Sequence, residues 1–137
     1  MKHIYIKITI LLLVLGSFQS NSQTNSIDFT LTSENIKMVG ENVTISSTIT
    51  KTGDVLSWIQ NNNGKTDTTS FVISSSSGNW NQDDSLGSVI YSIAIENFQG
   101  SFNLLGEDSG VIGTLSLKVS EAETETYIFN INIITYP

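Results

Sequence analysis

The fold of this chain is decided by a stretch in which apolar and polar side chains alternate: Val89-Ile90-Tyr91-Ser92-Ile93-Ala94-Ile95-Glu96. The odd-numbered residues are all apolar or aromatic, and the even-numbered ones after Ile90 are small or polar. This period of two is typical of a half-buried β-strand, because successive side chains point to opposite faces of a sheet. A helix would need apolar residues three and four positions apart. The stretch therefore predicts a strand with one face on a core and one in water.

The same alternation recurs in residues 43–50, 115–120 and 127–133, and the last of these places Ile133 on the core face. Turn-forming clusters separate the runs at close to the 8–12-residue spacing of all-β domains. They are Val39-Gly40-Glu41, Thr52-Gly53-Asp54, Asn63-Gly64, Gly78-Asn79, Leu86-Gly87, Gln99-Gly100 and Ser109-Gly110. Asn63-Gly64 is the strongest hairpin signal, since a type I′ turn needs positive φ at both central residues. The pattern predicts an all-β, antiparallel fold of about seven to nine strands.

The first 22 residues have the layout of a secretory signal peptide. Lys2 and Lys7 form a basic start, residues 8–15 form an apolar run, and small residues precede a predicted cleavage after Ser22. The run is shorter than the ~20 residues of a spanning helix, so we expect no membrane span after cleavage. Residues 23–137 are then a single β-sandwich domain, secreted, periplasmic or on the cell surface. The arginine-free composition, leaning to Ile, Asn and Lys, looks bacterial.

The inventory of side chains excludes several chemistries. The chain has no cysteine and no arginine, and its one histidine, His3, lies in the predicted signal peptide. A Ser-His-Asp triad, a cysteine nucleophile, and zinc sites of His and Cys therefore lack their residues. A hydrolase built on two carboxylates is the remaining alternative, with candidates Asp83, Asp84, Glu107 and Asp108. These positions are typical of turns, so we expect no enzyme and no catalytic residue.

The charge of the exported part is strongly acidic. Residues 23–137 contain four lysines and thirteen carboxylates, a balance of −9. Such a surface repels nucleic acid and anionic lipid, so we expect no nucleic-acid partner. Lys51 follows Thr48 by three positions, a spacing that places the two on opposite faces of a strand; the pair is expected to be solvated surface.

One loop carries the candidate binding residues: Asn79-Trp80-Asn81-Gln82-Asp83-Asp84. A large apolar ring among asparagines is unexpected, and Trp80 either anchors a protein or glycan partner or folds back onto the end of the core. Asn79, Asn81, Asp83 and Asp84 complete the predicted contact surface. Oxygen side chains at alternating positions also suit calcium, with Asn79, Asn81 and Asp83 as its ligands. We expect no other cofactor.

Several motifs resemble an immunoglobulin-like domain. Residues 40–47 look like the start of strand B, residues 54–60 like strand C with its core Trp58, and residues 92–97 like strand E. Residues 107–111 resemble the corner before strand F, residues 119–126 the F–G hairpin, and residues 127–135 strand G. The resemblance implies an immunoglobulin-like β-sandwich without its inter-sheet disulfide, because the two cysteine positions fall at Ser47 and Thr114. It also implies a role in binding or adhesion.

Together these features predict a secreted binding or adhesion module that contacts a protein or a glycan. The alternative is a structural or assembly subunit that pairs through exposed sheet edges. The oligomeric state stays open.

Overall fold

The computed structural model describes residues 27–137, and the predicted signal peptide and its cleavage site lie outside that range. These residues form eleven strands. The strands are β1 (Phe29–Ser33), β2 (Ile36–Met38), β3 (Glu41–Val43), β4 (Ser46–Thr52), β5 (Val55–Asn62), β6 (Lys65–Asn81), β7 (Leu86–Ile95), β8 (Phe98–Glu107), β9 (Gly110–Lys118), β10 (Thr124–Ile131) and β11 (Ile133–Thr135). The part of the chain that the structure describes contains no helix able to span a membrane. The all-β, antiparallel prediction is confirmed.

All eleven strands belong to one curled sheet in the order β11-β1-β4-β5-β6-β7-β8-β9-β10-β2-β3. The first two and last two strands along the described chain connect the two sides of this sheet, because β11 pairs with β1 while β10 pairs with β2. The β1–β11 and β2–β10 ladders continue one another in the same register, with Thr32 opposite Ile133 and Ile36 opposite Phe129. The observed arrangement is therefore a single curled sheet in place of a two-sheet sandwich of about seven to nine strands.

A short break where the terminal strands change partners is held by Asn132. Its backbone N–H donates to Thr32 O at 2.8 Å, and its side-chain Oδ1 accepts from the Glu34 N–H at 3.0 Å. After the break the alternation of faces is shifted by one residue. Ile133 is therefore 59 % exposed, and Ile134 packs against the core instead. The prediction of Ile133 as a core residue was wrong, because sequence alternation does not show such a break.

The inner face of the curled sheet is filled by large side chains. In the described part of the chain, fourteen buried hydrophobic residues form one cluster: Phe29, Leu31, Ile36, Ile49, Leu56, Trp58, Phe71, Val89, Tyr91, Ile93, Phe102, Leu104, Leu115 and Phe129. Trp58 lies 5.1 Å from Tyr127 and 5.3 Å from Phe129 between ring centroids. Its Nε1–H donates to Ser47 Oγ at 3.1 Å. The predictions that Trp58 and the odd-numbered residues from Val89 to Ile93 face the core are confirmed.

The connections differ from those that the immunoglobulin resemblance implies. From β4 to β10 each strand pairs with the next along the chain, whereas immunoglobulin domains divide their strands between two sheets with Greek-key connections. Thr114 faces outward between the buried Gly113 and Leu115. The β8–β9 ladder passes Gly113 without a bulge. The short motifs indicated where strands lie but not which strands pair, because strand pairing depends on distant parts of the chain.

The turn signals had mixed outcomes. Asn63 and Gly64 have φ of 53° and 80° and join β5 to β6, as predicted. Gly78 lies inside β6 rather than in a turn, with φ of 107°. A Cβ there would collide with the backbone carbonyl of Ser88 on β7. This glycine serves a close approach of two strands, and the same holds for Gly87, which lies inside β7.

Candidate binding site

The prediction of a loop over residues 79–84 was partly wrong: residues 79–81 belong to the end of β6, and the rest lie in the β6–β7 turn. The polar side chains of this region bond mainly to one another. Asn81 Oδ1 accepts from the Asp83 N–H at 2.9 Å, and Asn81 Nδ2 donates to Asp84 Oδ2 at 3.3 Å. Asn79, Asn81, Asp83 and Asp84 are exposed. Within residues 27–137, no three histidine, cysteine or acidic side chains lie close enough together to hold a metal ion. The calcium ligands Asn79, Asn81 and Asp83 stay a prediction.

Trp80 is half-buried and turns toward the core. Its Nε1–H donates to Tyr136 Oη at 2.8 Å, and Tyr136 Oη lies 3.0 Å from Ser85 Oγ. The ring packs against the hydrophobic cluster, and its edge lies close to Gly106, where a Cβ would be 2.7 Å from the indole. Trp80 therefore connects the hairpin to Tyr136, which directly follows β11. This matches the alternative in which it closes the end of the core.

Among residues 27–137, part of strand β6 is paired with another strand on one side only. Its first part, residues 65–72, pairs with β5 on one side. From Ser75 onward, the ladders among residues 27–137 join β6 to β7 alone. Residues 74–79 are exposed, and Ser74 forms a bulge in the ladder. We call the side of residues 74–81 that faces away from β7 the free edge. Its backbone N–H and C=O groups are available to another strand.

A groove lies where the free edge begins, beside the Gly53-Asp54 turn. It has a volume of about 150 Å³ and is lined by Lys51, Gly53, Asp54, Ile73, Ser74, Ser75, Ser76 and Tyr91. We call it the Tyr91 groove. Tyr91 is 0 % exposed, and its buried hydroxyl has no hydrogen-bond partner among the described residues. A buried hydroxyl without a hydrogen bond lowers the stability of the folded protein by about 1–3 kcal/mol, so the position of this hydroxyl calls for a physical reason.

Lys51 forms the charged wall of the groove. Its side chain is 3 % exposed, and Nζ lies 3.1 Å from Asp28 Oδ1 and 5.8 Å from the centroid of the Tyr91 ring. The expectation that Lys51 is solvated was wrong. Lys51 continues the inward face of β4 after Ser47 and Ile49, and Asp28 supplies the charge partner that a buried ammonium needs.

Two pKa shifts follow from this arrangement. The hydrogen bond from Lys51, followed by that from the Gly53 N–H, lowers the pKa of Asp28. Loss of solvation, and to a smaller degree the negative charge of Asp28, raises the pKa of Tyr91 to about 12. At neutral pH the paired Lys51 and Asp28 therefore lie near a neutral, buried tyrosine hydroxyl.

The carboxylates considered for hydrolysis are divided between two turns. Asp83 and Asp84 lie in the β6–β7 loop, whereas Glu107 and Asp108 lie at the β8–β9 turn, and all four are exposed.

Sequence reasoning missed Lys51 and Tyr91 as site residues. The available signal was the inward face shared by Ser47, Ile49 and Lys51, which placed a charge among core positions.

No family model, curated protein or solved structure matches this chain.

Proposed function

We propose that this protein is an exported, non-enzymatic binding module that captures an extended segment of a partner protein as a new strand on the free edge. The observation that carries the proposal is the edge itself. Natural sheet edges are commonly protected by charges, proline, bulges or covering segments. Apart from the bulge at Ser74, residues 74–81 offer serine, glycine, asparagine and one tryptophan, with no charge and no proline.

Strand addition would explain both binding and selectivity. Main-chain hydrogen bonds supply affinity, and pockets for alternate side chains supply specificity. Asp54 lies at the start of the free edge, and Asp83 and Asp84 follow its end. A partner strand with basic residues at its end beside Asp83 and Asp84 would complement the charges there. The packing of the Trp80 ring against the hydrophobic cluster favours a protein over a glycan, because stacking on a sugar needs a ring face that is open to solvent.

A display library of random decapeptides, selected against the purified protein, tests the proposal. We expect enriched peptides whose binding slows hydrogen exchange at the backbone amides of residues 75–80. Ser75→Lys places a charge on the free edge and should weaken binding at least about tenfold, as edge charges oppose strand pairing. Ser92→Lys is the matched control. Ser92 is exposed and lies opposite Ser75 on β7, a strand that is paired on both sides.

Equal binding by Ser75→Lys and wild type, or exchange protection confined to other strands, would refute strand addition at this edge. Failure to enrich any peptide would do the same.

An assembly subunit is the second candidate, since the same uncharged edge suits pairing between two copies in a two-fold arrangement. The balance of −9 over residues 23–137 opposes self-association at low salt. Sedimentation of the wild type and of Ser75→Lys across a range of concentrations distinguishes the two. An edge-dependent dimer would favour assembly, and a monomer would favour a foreign partner. A relationship to immunoglobulin-like domains and the exported location stay predictions from the sequence.

A further inference from the structure

We propose that the Tyr91 groove is a selectivity pocket for one side chain of the added strand, and that it prefers an uncharged hydrogen-bonding group such as that of Asn, Gln, Ser or Thr. This inference rests on the proposed function. It is carried by two independent features, the free backbone of β6 and the unpartnered hydroxyl buried next to it.

The position of the groove couples it to the free edge. Ser74, Ser75 and Ser76 form one wall, while Lys51 and Tyr91 form another. A strand added beside β6 would point alternate side chains to opposite faces of the sheet. The residue opposite the start of the free edge would therefore direct its side chain toward Tyr91. The volume of about 150 Å³ is enough for a short polar side chain.

The charges around the groove decide which side chain fits. An acidic side chain would meet the carboxylate of Asp54 at the wall, and the Lys51 ammonium that would otherwise attract it is already paired with Asp28. A basic side chain would approach the ammonium of Lys51, whose side chain is 3 % exposed. Burying either charge without its own partner is costly. A neutral amide or hydroxyl avoids both repulsions.

The Tyr91 hydroxyl supplies the specific contact. It can donate a hydrogen bond to an amide or hydroxyl oxygen, because its pKa of about 12 keeps it protonated at neutral pH. A site that hydrogen-bonds a substrate group discriminates strongly against an analogue that lacks it, since a buried polar group is then left unpaired. We expect about tenfold preference for the polar residue over an apolar residue of similar size, the value of one neutral hydrogen bond.

The test uses the peptides selected above. Their alignment should show one position enriched in Asn, Gln, Ser or Thr. A synthetic peptide with Asn at that position and its Leu counterpart are then titrated against wild type and Tyr91→Phe. Wild type should prefer Asn by about tenfold, and Tyr91→Phe should lose that preference. Tyr127→Phe is the matched control, because the Tyr127 hydroxyl already donates to Glu125 Oε2 at 2.7 Å; it should keep the preference.

The outcomes separate this inference from the proposed function. If peptides bind in a manner that Ser75→Lys abolishes, but show no polar position or retain their preference in Tyr91→Phe, the pocket assignment is wrong and strand addition stands. If no peptide is enriched, or if Ser75→Lys binds like wild type, both are wrong. Enrichment of acidic residues at the groove position would also overturn the pocket assignment.

Discussion

Replacing Tyr91 by phenylalanine should stabilise this protein. The substitution removes a single oxygen atom from a side chain that is 0 % exposed and whose hydroxyl has no hydrogen-bond partner among the described residues. The ring keeps its packing against Phe29, whose centroid lies 6.1 Å away, and its place 5.8 Å from Lys51 Nζ. Core substitutions usually destabilise, so a gain here would be diagnostic.

The magnitude follows from the cost of leaving a buried hydroxyl unpaired, about 1–3 kcal/mol. Some of that cost is relieved by local adjustment, so we expect a gain of about 1 kcal/mol at pH 7. For a domain of this size, that corresponds to a rise of about 4 °C in Tm.

The dependence on pH provides a second, independent measure. The pKa of Tyr91 is raised from 10.0 to about 12 in the folded protein, so the neutral form favours folding. Its contribution is fully present below pH 10 and is lost as the pH rises to 12. Two pKa units correspond to about 3 kcal/mol. Wild type should therefore lose more stability than Tyr91→Phe in this window. The pKa of Tyr127 is also raised to about 12, but that loss is common to both proteins.

Urea unfolding of wild type and Tyr91→Phe, followed by tryptophan fluorescence at pH 7 and at intervals from pH 9.5 to 12, measures both effects. Tyr127→Phe serves as the control for loss of a partnered hydroxyl and should not stabilise the protein. A loss of more than about 0.5 kcal/mol in Tyr91→Phe at pH 7 would refute the reasoning, because it would mean that the hydroxyl has a partner in the free protein.

Three further predictions concern the folded framework. Trp80→Ala should lower the free energy of unfolding by about 2 kcal/mol in urea titrations, since a half-buried ring and its hydrogen bond are lost. An unchanged urea midpoint would mean that Trp80 has no structural role and serves only to contact a partner. Asn132→Ala should cost about 1 kcal/mol by the same measurement, because the side-chain bond across the strand break is removed, whereas Asn130→Ala on the exposed face should cost less than half of that. Asp28→Asn should destabilise the protein at pH 7 by weakening the bond to buried Lys51. The pKa of Asp28 in the folded protein lies below its ordinary value of 3.8. The stability that the Asp28 carboxylate contributes is therefore present above pH 3.8 and is lost as the pH falls through the folded pKa. The free energies of unfolding of wild type and Asp28→Asn should converge in acid, and a difference that persists unchanged to low pH would contradict the pairing.

The sequence by itself determined the all-β, antiparallel class and the inward faces of several strands. The alternation from Val89 to Ile95, the core position of Trp58 and the hairpin at Asn63-Gly64 all depend on residues close in the chain. A period of two and a requirement for positive φ act locally. For that reason these features could be predicted from one sequence without knowledge of strand pairing.

The tertiary structure alone decided which strands pair and which polar groups find partners. Asn132 closes the sheet through Thr32 and Glu34, about a hundred positions away in the sequence. The burial of Lys51 depends on Asp28, which directly precedes β1, the strand that pairs with β4 at Lys51. The free edge exists because β6 extends beyond its pairing with β5, and the Tyr91 hydroxyl lies beside that edge without a partner among residues 27–137. Alternation assigns a side chain to a face, but only long-range pairing determines what that face meets.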